Sequence, residues 1–252
     1  MEITVIIPAR YDSSRFPGKP LAELMGKPLV QHVYERAKQA ELVDRVIVAT
    51  DDKRILDSVK AFGGECLMTS KDHETGTDRI AELAKEIDST IVVNVQGDEP
   101  YIRPDSIDMT IKPLIEDSSL LISTVKVRIE DIKEIFDLNV VKVVTDKDDF
   151  ALYFSRWPIP FYREKWSGIL NGKDDQTLPV PTPYSFKHLG LYVYRRDFLL
   201  DFSKWPQTPL EKIEKLEQLR VLENGYRIKV VESEHDSVGV DTPEDLEKLK
   251  GL

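Results

Sequence analysis

The sequence predicts an α/β fold built on a mostly parallel central sheet with helices on both faces. Short apolar runs rich in β-branched residues recur at 3–7, 46–49 and 91–95, the signature of buried strands. Segments with a 3.6-residue apolar period lie between them, so strand and helix alternate as in βαβ units. Turn residues close each run, at Pro8, Thr50-Asp51-Asp52 and Gln96-Gly97-Asp98. Right-handed crossovers put these three strand ends along one edge of the sheet, where open α/β folds bind ligands.

Strand 3–7 runs into a loop carrying Arg10, Arg15 and Lys19. Residues 29–40 read as a helix, with Val33 and Ala37 on one face and Glu35, Arg36 and Lys38 elsewhere. Strand 46–49 precedes a helix at 53–62, stopped by Gly63-Gly64. Cys66 opens a short strand, 66–68, as a core residue. Helix 77–87 places Ile80, Leu83, Ala84 and Ile87 on one face. After strand 91–95, Pro104 starts a helix, where its missing N–H costs nothing.

The second half changes character, with strand-like runs at 121–129, 140–145, 152–156 and 185–195. Between the last two lie Trp157-Pro-Ile-Pro-Phe-Tyr-Arg163 and a Gly/Asp/Pro-rich stretch to Pro183, read as a long loop or arm. Residues 210–224 read as a helix closed by Gly225, and 226–231 as a strand. Thr242-Pro-Glu-Asp245 is a capping box that opens the last helix. The chain, 1–252, reads as a single domain in which 121–225 contribute a smaller lobe.

A length of 252 residues with 41% apolar content supports one large packed domain. A formal net charge of −10 argues against a general nucleic-acid binder. It also makes the local cluster of Arg10, Arg15 and Lys19 informative, because a basic loop in an acidic chain suits a polyanion such as a nucleoside triphosphate. The single cysteine leaves no internal disulfide, and no Cys/His cluster suggests zinc. With no positive leader and no apolar run near the ~20 residues of a membrane span, a cytoplasmic protein without a membrane partner is expected.

The first loop lacks both the Walker spacing and G-x-G-x-x-G. Phosphates would therefore be held by side-chain cations plus backbone N–H groups, with Arg as a bidentate fork and Lys as a point charge. Asp98, just past an apolar strand, is placed to hold Mg²⁺ against substrate phosphates, since that ion usually takes one or two carboxylates. Asp241 is either a second ligand or a charge favouring the last helix dipole. Asp51 and Asp52 are open to the same pair of readings. His32 reads as structural or exposed, His73 precedes the helix start at Thr75-Gly76-Thr77, and His188, inside an aromatic strand, reads most simply as a buried, hydrogen-bonded group.

Taken together, these blocks resemble the CMP-KDO synthetases, the 3-deoxy-manno-octulosonate cytidylyltransferases. The resemblance rests on Ile7-Pro-Ala-Arg-Tyr-Asp-Ser-Ser-Arg-Phe-Pro-Gly-Lys-Pro-Leu21, His73-Glu-Thr-Gly-Thr-Asp-Arg79 and Val93-Asn-Val-Gln-Gly-Asp-Glu-Pro100. It continues through Lys187-His-Leu-Gly-Leu-Tyr-Val-Tyr-Arg195, Leu216-Glu-Gln-Leu-Arg220 and Gly239-Val-Asp-Thr-Pro-Glu-Asp245. It implies a Rossmann-like, GT-A-type nucleotidyltransferase three-layer sandwich whose smaller lobe serves sugar binding and dimerisation. It further implies CMP transfer from CTP to KDO, with Mg²⁺, in a homodimer that serves lipopolysaccharide synthesis.

By the same resemblance, Pro8, Ala9, Arg10, Arg15, Lys19, Arg79, Gln96 and Asp98 bind the nucleotide. Arg10, Arg15 and Lys19 stabilise the leaving pyrophosphate, and Arg79 and Gln96 hold the cytidine. Asp98 and Asp241 hold the metal, and these two with the three loop cations form the catalytic set. Arg163, His188, Tyr192, Glu217 and Gln218 bind the sugar acid. The competing readings are a cytidylyltransferase for another 2-keto acid such as sialic acid, a GT-A glycosyltransferase, and a non-catalytic nucleotide sensor. A glycosyltransferase calls for Asp-x-Asp, whereas the segment here is Gly97-Asp98-Glu99-Pro100.

Overall fold

The computed structural model describes residues 1–250 apart from 14, 74, 165 and 167–180. The long loop expected up to Pro183 falls largely on 167–180, outside the described residues. The chain divides into two compact units, Met1–Ser123 with Gly190–Trp205 and His235–Leu252, and Thr124–Leu189 with Pro206–Glu234.

The strands in chain order are β1 (Ile3–Ala9), β2 (Glu23–Leu24), β3 (Lys27–Pro28), β4 (Arg45–Thr50), β5 (Cys66–Met68) and β6 (Ile91–Asn94). They continue as β7 (Ile122–Arg128), β8 (Lys142–Thr145), β9 (Ala151–Ser155), β10 (Phe186–Arg195) and β11 (Lys229–Ser233). The first four helices are α1 (Leu29–Ala37), α2 (Lys53–Ala61), α3 (Gly76–Glu86) and α4 (Pro104–Glu116).

In the first unit β1 runs parallel between β4 and β6, with Val5 opposite both Val46 and Val93. β5 extends the parallel set beyond β4, and residues 192–195 of β10 close the other side antiparallel to β6. The centre of β1 is fully buried, which is why its run is apolar without alternation. Helices α1 and α3 pack on β1, and α2 on β4. Asp52 caps α2 by accepting from the Arg54 N–H at 2.8 Å, and Thr75 with Asp78 forms a complete capping box on α3. Both devices satisfy N–H groups that a helix start leaves unpaired. Cys66 is buried, which pushes its thiol up to about 12 and keeps it a core residue rather than a nucleophile.

A satellite cluster of Leu24, Leu29, Val240, Leu246 and Leu249 fastens the last helix, Pro243–Lys250, to the β2–β3 hairpin region. Burying each such leucine is worth about 1.5–3 kcal/mol. The helix starts as expected, because the Thr242 hydroxyl accepts from the Asp245 N–H and Asp245 Oδ2 accepts from the Thr242 N–H.

The second unit pairs β8 with β9 and with β10 antiparallel, where the centre of the first is parallel. Lys187 of β10 lies opposite Lys142 of β8. Lys142 is fully buried, its ammonium donating to the carbonyls of Asp137, Val140 and Arg156. Three donors thus meet three acceptors, the condition under which an interior charge is tolerated.

The helix expected over 210–224 is two helices, Pro209–Glu214 and Gln218–Glu223. The break is at Lys215, whose φ of 56° is left-handed, a strained conformation for a residue with a Cβ. What offsets it is the buried pair that the break permits. Arg220 turns back and donates to both oxygens of Glu211 at 2.8 and 2.6 Å, and Leu216 is buried between them in sequence. The last strand starts three residues later than expected, at Lys229.

Candidate active site

The carboxyl ends of β1 and β6 and the segment before the last helix converge on one cavity of about 290 Å³ in the first unit. β1 ends at Pro8 and Ala9, both lining the cavity. The following loop turns back at Gly18, whose φ of 72° is left-handed and so favours glycine. Its N–H donates to the Tyr11 carbonyl at 2.8 Å, and a short 3₁₀ turn, Lys19–Leu21, follows at once. That turn aims Lys19 into the cavity. Its ammonium donates to Asp98 Oδ2 at 2.6 Å and to Asp241 Oδ1 at 3.5 Å. Arg15 pairs with the other oxygen of Asp241 at 3.2 Å. Arg10 is exposed and lines the same cavity.

Asp98 and Asp241 are far apart in the sequence, and the Val240 N–H donates to the Asp98 carbonyl at 2.8 Å to join their segments. The Ser237 hydroxyl adds a second tie to Glu99 at 2.9 Å. Burial, reinforced by the charge of Asp98, pushes Glu99 up to about 7. Asp241 does not cap the last helix: that work falls to Thr242 and Asp245, leaving the Asp241 carboxylate facing Lys19 and Arg15.

Gly97 has a packing reason. A Cβ there would stand 2.8 Å from the Pro8 carbonyl oxygen, a backbone atom that cannot swing away. Gly97→Ala is expected to push the turn carrying Gln96 and Asp98 off the end of β1. Small misplacements of reacting groups carry large rate costs, so kcat/KM falls at least about tenfold. Steady-state kinetics beside a thermal melt checks this, and unchanged kinetics would remove the close approach as a requirement.

Arg79 and Gln96 line the same cavity. Arg79 is 3% exposed, paired with Asp51 at 2.6 Å and with the Ser70 carbonyl at 3.3 Å. The Gln96 amide donates to Asn94 Oδ1 at 3.1 Å and to the Gly190 carbonyl at 3.4 Å. Asp51 and Asp52, read alike from the sequence, are distinct here: Asp52 caps α2 and Asp51 partners Arg79.

The cavity thus gathers all nine residues expected to hold nucleotide and metal, and its lining does not include the five expected to hold the sugar. Tyr192 lies in the first unit, half-buried on β10 and stacked on Tyr194 with centroids 5.9 Å apart. The others belong to the second unit. Arg163 is exposed and Gln218 is buried. Glu217 accepts from Arg220 at 3.3 Å. His188 shares a hydrogen bond with Thr124 at 2.8 Å and meets the Phe154 ring edge-on at 5.0 Å.

Burial lowers His188 to about 3, so near neutrality it offers a hydrogen bond rather than a cation. Its folded value lies below the ordinary 6.5. Between these values the unfolded chain binds more protons, and this contribution to stability is lost as pH falls through that window. His188→Gln is expected to show a shallower loss of stability on acidification, measured by urea midpoints at each pH. A slope identical to the parent's would contradict the buried, neutral imidazole.

Sequence reasoning missed Ser13, His73, Thr75 and Gly76 in the cavity wall. The last three lie in the block that supplied Arg79, and their proximity to a strand end was the available signal.

Residues 4–229 match the family described as Cytidylyltransferase. The 3-deoxy-manno-octulosonate cytidylyltransferase of Geotalea uraniireducens is 61% identical over 99% of this chain and 98% of its own. That of Geobacter sulfurreducens is 58% identical over 99% of this chain and 98% of its own. A solved structure of CMP:2-keto-3-deoxy-manno-octonic acid synthetase complexed with CTP matches with a TM-score of 0.88 at 42% identity, covering 100% of this chain and 98% of that one. A 4-diphosphocytidyl-2C-methyl-D-erythritol synthase from Anaerococcus prevotii, at 15% identity and a TM-score of 0.62 over 99% of this chain and 95% of its own, shares the fold.

Proposed function

The chain belongs to the cytidylyltransferase family, and from that premise we infer that it transfers CMP from CTP to the anomeric hydroxyl of KDO, releasing pyrophosphate. The observation that carries this reading is the convergence of Asp98 and Asp241 on Lys19, with Arg15 on the second carboxylate and Arg10 in the same cavity. Relatives of 58–61% identity over nearly the full length carry the name of that reaction.

The residues fit Mg²⁺. Asp98 and Asp241 offer hard carboxylate oxygens around one cation position, and an ion held by two carboxylates takes its remaining ligands from phosphates and water. When bound there, Mg²⁺ supplies charge neutralisation and polarises the sugar hydroxyl. Lys19, Arg15 and Arg10 hold the triphosphate and meet the negative charge that grows on the leaving pyrophosphate. The new bond joins the anomeric oxygen to the α-phosphorus, the bond to the bridging oxygen of pyrophosphate breaks, and the hydroxyl proton is released. Catalysis of this kind is positioning and electrostatics. Arg79 and Gln96 hold the cytidine, and Arg163, His188, Tyr192, Glu217 and Gln218 the sugar acid.

We place the reaction in the cytoplasm, in a homodimer, supplying lipopolysaccharide synthesis. No helix among the described residues is long and apolar enough to cross a membrane. Large apolar side chains stay exposed on the second unit, Trp157, Phe161, Tyr184 and Ile213 among them, as a surface covered by a second copy would be. The test is pyrophosphate release from purified protein with Mg²⁺, each of four nucleoside triphosphates and a panel of sugar acids. Turnover with CTP and KDO is expected. CTP binding without release across the panel would sink the reading.

A further inference from the structure

Asp51 has no part in the chemistry above, yet it holds a residue that does. It follows β4 directly, and its Oδ2 accepts from the Arg79 guanidinium at 2.6 Å. The opposite nitrogen of the same guanidinium donates to the Ser70 carbonyl at 3.3 Å and to the Thr69 hydroxyl. That hydroxyl is itself oriented, since it donates to the Thr50 carbonyl at 3.1 Å and so turns a lone pair toward Arg79. The backbone end of Arg79 is held as well, on the first turn of α3 behind the Thr75–Asp78 capping box. The Arg79 side chain is 4% exposed and that of Asp51 17%. The guanidinium is thus gripped on two nitrogens by the ends of β4 and β5, while Arg79 lines the cavity.

An arginine presents donors only. Cytosine offers two adjacent acceptors on its pairing edge, the O2 oxygen and the N3 nitrogen, whereas uracil carries a hydrogen on N3. A donor fork fixed in place accepts the first base and leaves the second with two hydrogens opposed. A site built to pair a polar edge rejects the analogue that leaves it unpaired. Discrimination of this kind requires that the fork not rotate away. We infer that Asp51 is a positioning residue that sets nucleotide specificity, locking Arg79 so that the cavity takes CTP over UTP. The inference rests on the reading that Arg79 holds the cytidine.

A double-mutant cycle on the full chain tests it, with kcat, KM for CTP and the CTP:UTP ratio of kcat/KM as readouts. Asp51→Asn keeps the shape and removes the charge. It is expected to raise KM for CTP about tenfold with kcat within about twofold, and to lower the CTP:UTP ratio about tenfold, the size of one charge-assisted hydrogen bond. Asp51→Glu keeps the charge for folding but displaces it by one methylene, and is expected to move both readouts the same way by about threefold. In an Arg79→Met background, Asp51→Asn is expected to add less than about twofold, because residues acting as one unit are not additive.

Unchanged KM and ratio in both folded Asp51 variants overturn the inference, as does full additivity with Arg79→Met. If Arg79→Met alone leaves KM and ratio unchanged, the cytidine reading of Arg79 fails, and the inference with it. If Arg79→Met moves them and Asp51→Asn does not, only the positioning role fails.

Discussion

Asp98→Asn is expected to lower kcat/KM for CMP transfer by roughly 10³-fold, the scale at which removal of a charge-stabilising group at a reacting centre registers. The substitution conserves shape and removes a charge that has two duties. It faces the Lys19 ammonium at 2.6 Å, so its loss leaves that cation only the 3.5 Å contact with Asp241 and sets an amide against it. It also supplies one of the two carboxylates proposed to hold Mg²⁺. The fold is expected to survive, because the tie from the Val240 N–H runs to the Asp98 backbone carbonyl and not to its side chain. Pyrophosphate release gives the rate, and Mn²⁺ titration followed by electron spin resonance gives metal affinity independently of turnover. A rate within tenfold of the parent with unaltered Mn²⁺ binding removes Asp98 from the metal site. Asp241→Asn is expected to act in the same direction, its carboxylate being the more exposed of the two.

That pair shows how far a sequence can be read. β1, β4 and β6 were legible because buried parallel strands must be apolar along their whole length, and the helix starts because caps have side-chain signatures. Of the nine cavity residues, Pro8, the basic loop, Gln96 and Asp98 were legible for a related reason, whereas Ala9, Arg79 and the metal role of Asp241 came only with the family resemblance. Strand ends in an open α/β sheet share one edge, so Pro8, Asp98 and the basic loop could be placed together without coordinates. Contacts set by the crossover geometry were not legible. Asp51 and Arg79 lie 28 residues apart, and nothing local distinguishes Asp51 from Asp52, although one holds a cavity arginine and the other caps a helix. The break at Lys215 was hidden similarly. Apolar spacing runs on through 210–224, and only the Glu211–Arg220 pair, a tertiary contact, explains why the helix stops. His188 lay in an aromatic strand, which suggested burial; it is half-buried, and the desolvation there lowers its pKa.

Arg220→Met is expected to destabilise the second unit by about 3–5 kcal/mol, the cost of leaving a buried charge without its partner. Side-chain exposure is 4% for Arg220 and 7% for Glu211, so water cannot replace the lost donors. Glu211 has a further obligation, since its carboxylate also accepts from the Thr208 N–H in the capping box of Pro209–Glu214. Losing Arg220 therefore strains a helix cap as well as an ion pair. Glu217, one of the residues proposed to hold the sugar acid, loses its 3.3 Å contact with Arg220 at the same time. On this account Arg220→Met raises KM for KDO even at temperatures where the protein stays folded, while KM for CTP changes little. The residues proposed to hold the nucleotide all lie in the other unit. Denaturant melts measure the stability term, and KDO kinetics below the transition measure the other. Replacing Glu211 and Arg220 together with Gln and Met separates the two effects: stability recovers in part because no unpaired charge remains buried, whereas the KDO defect persists if Arg220 orients Glu217. A double variant that regains KM for KDO would assign Arg220 to stability alone.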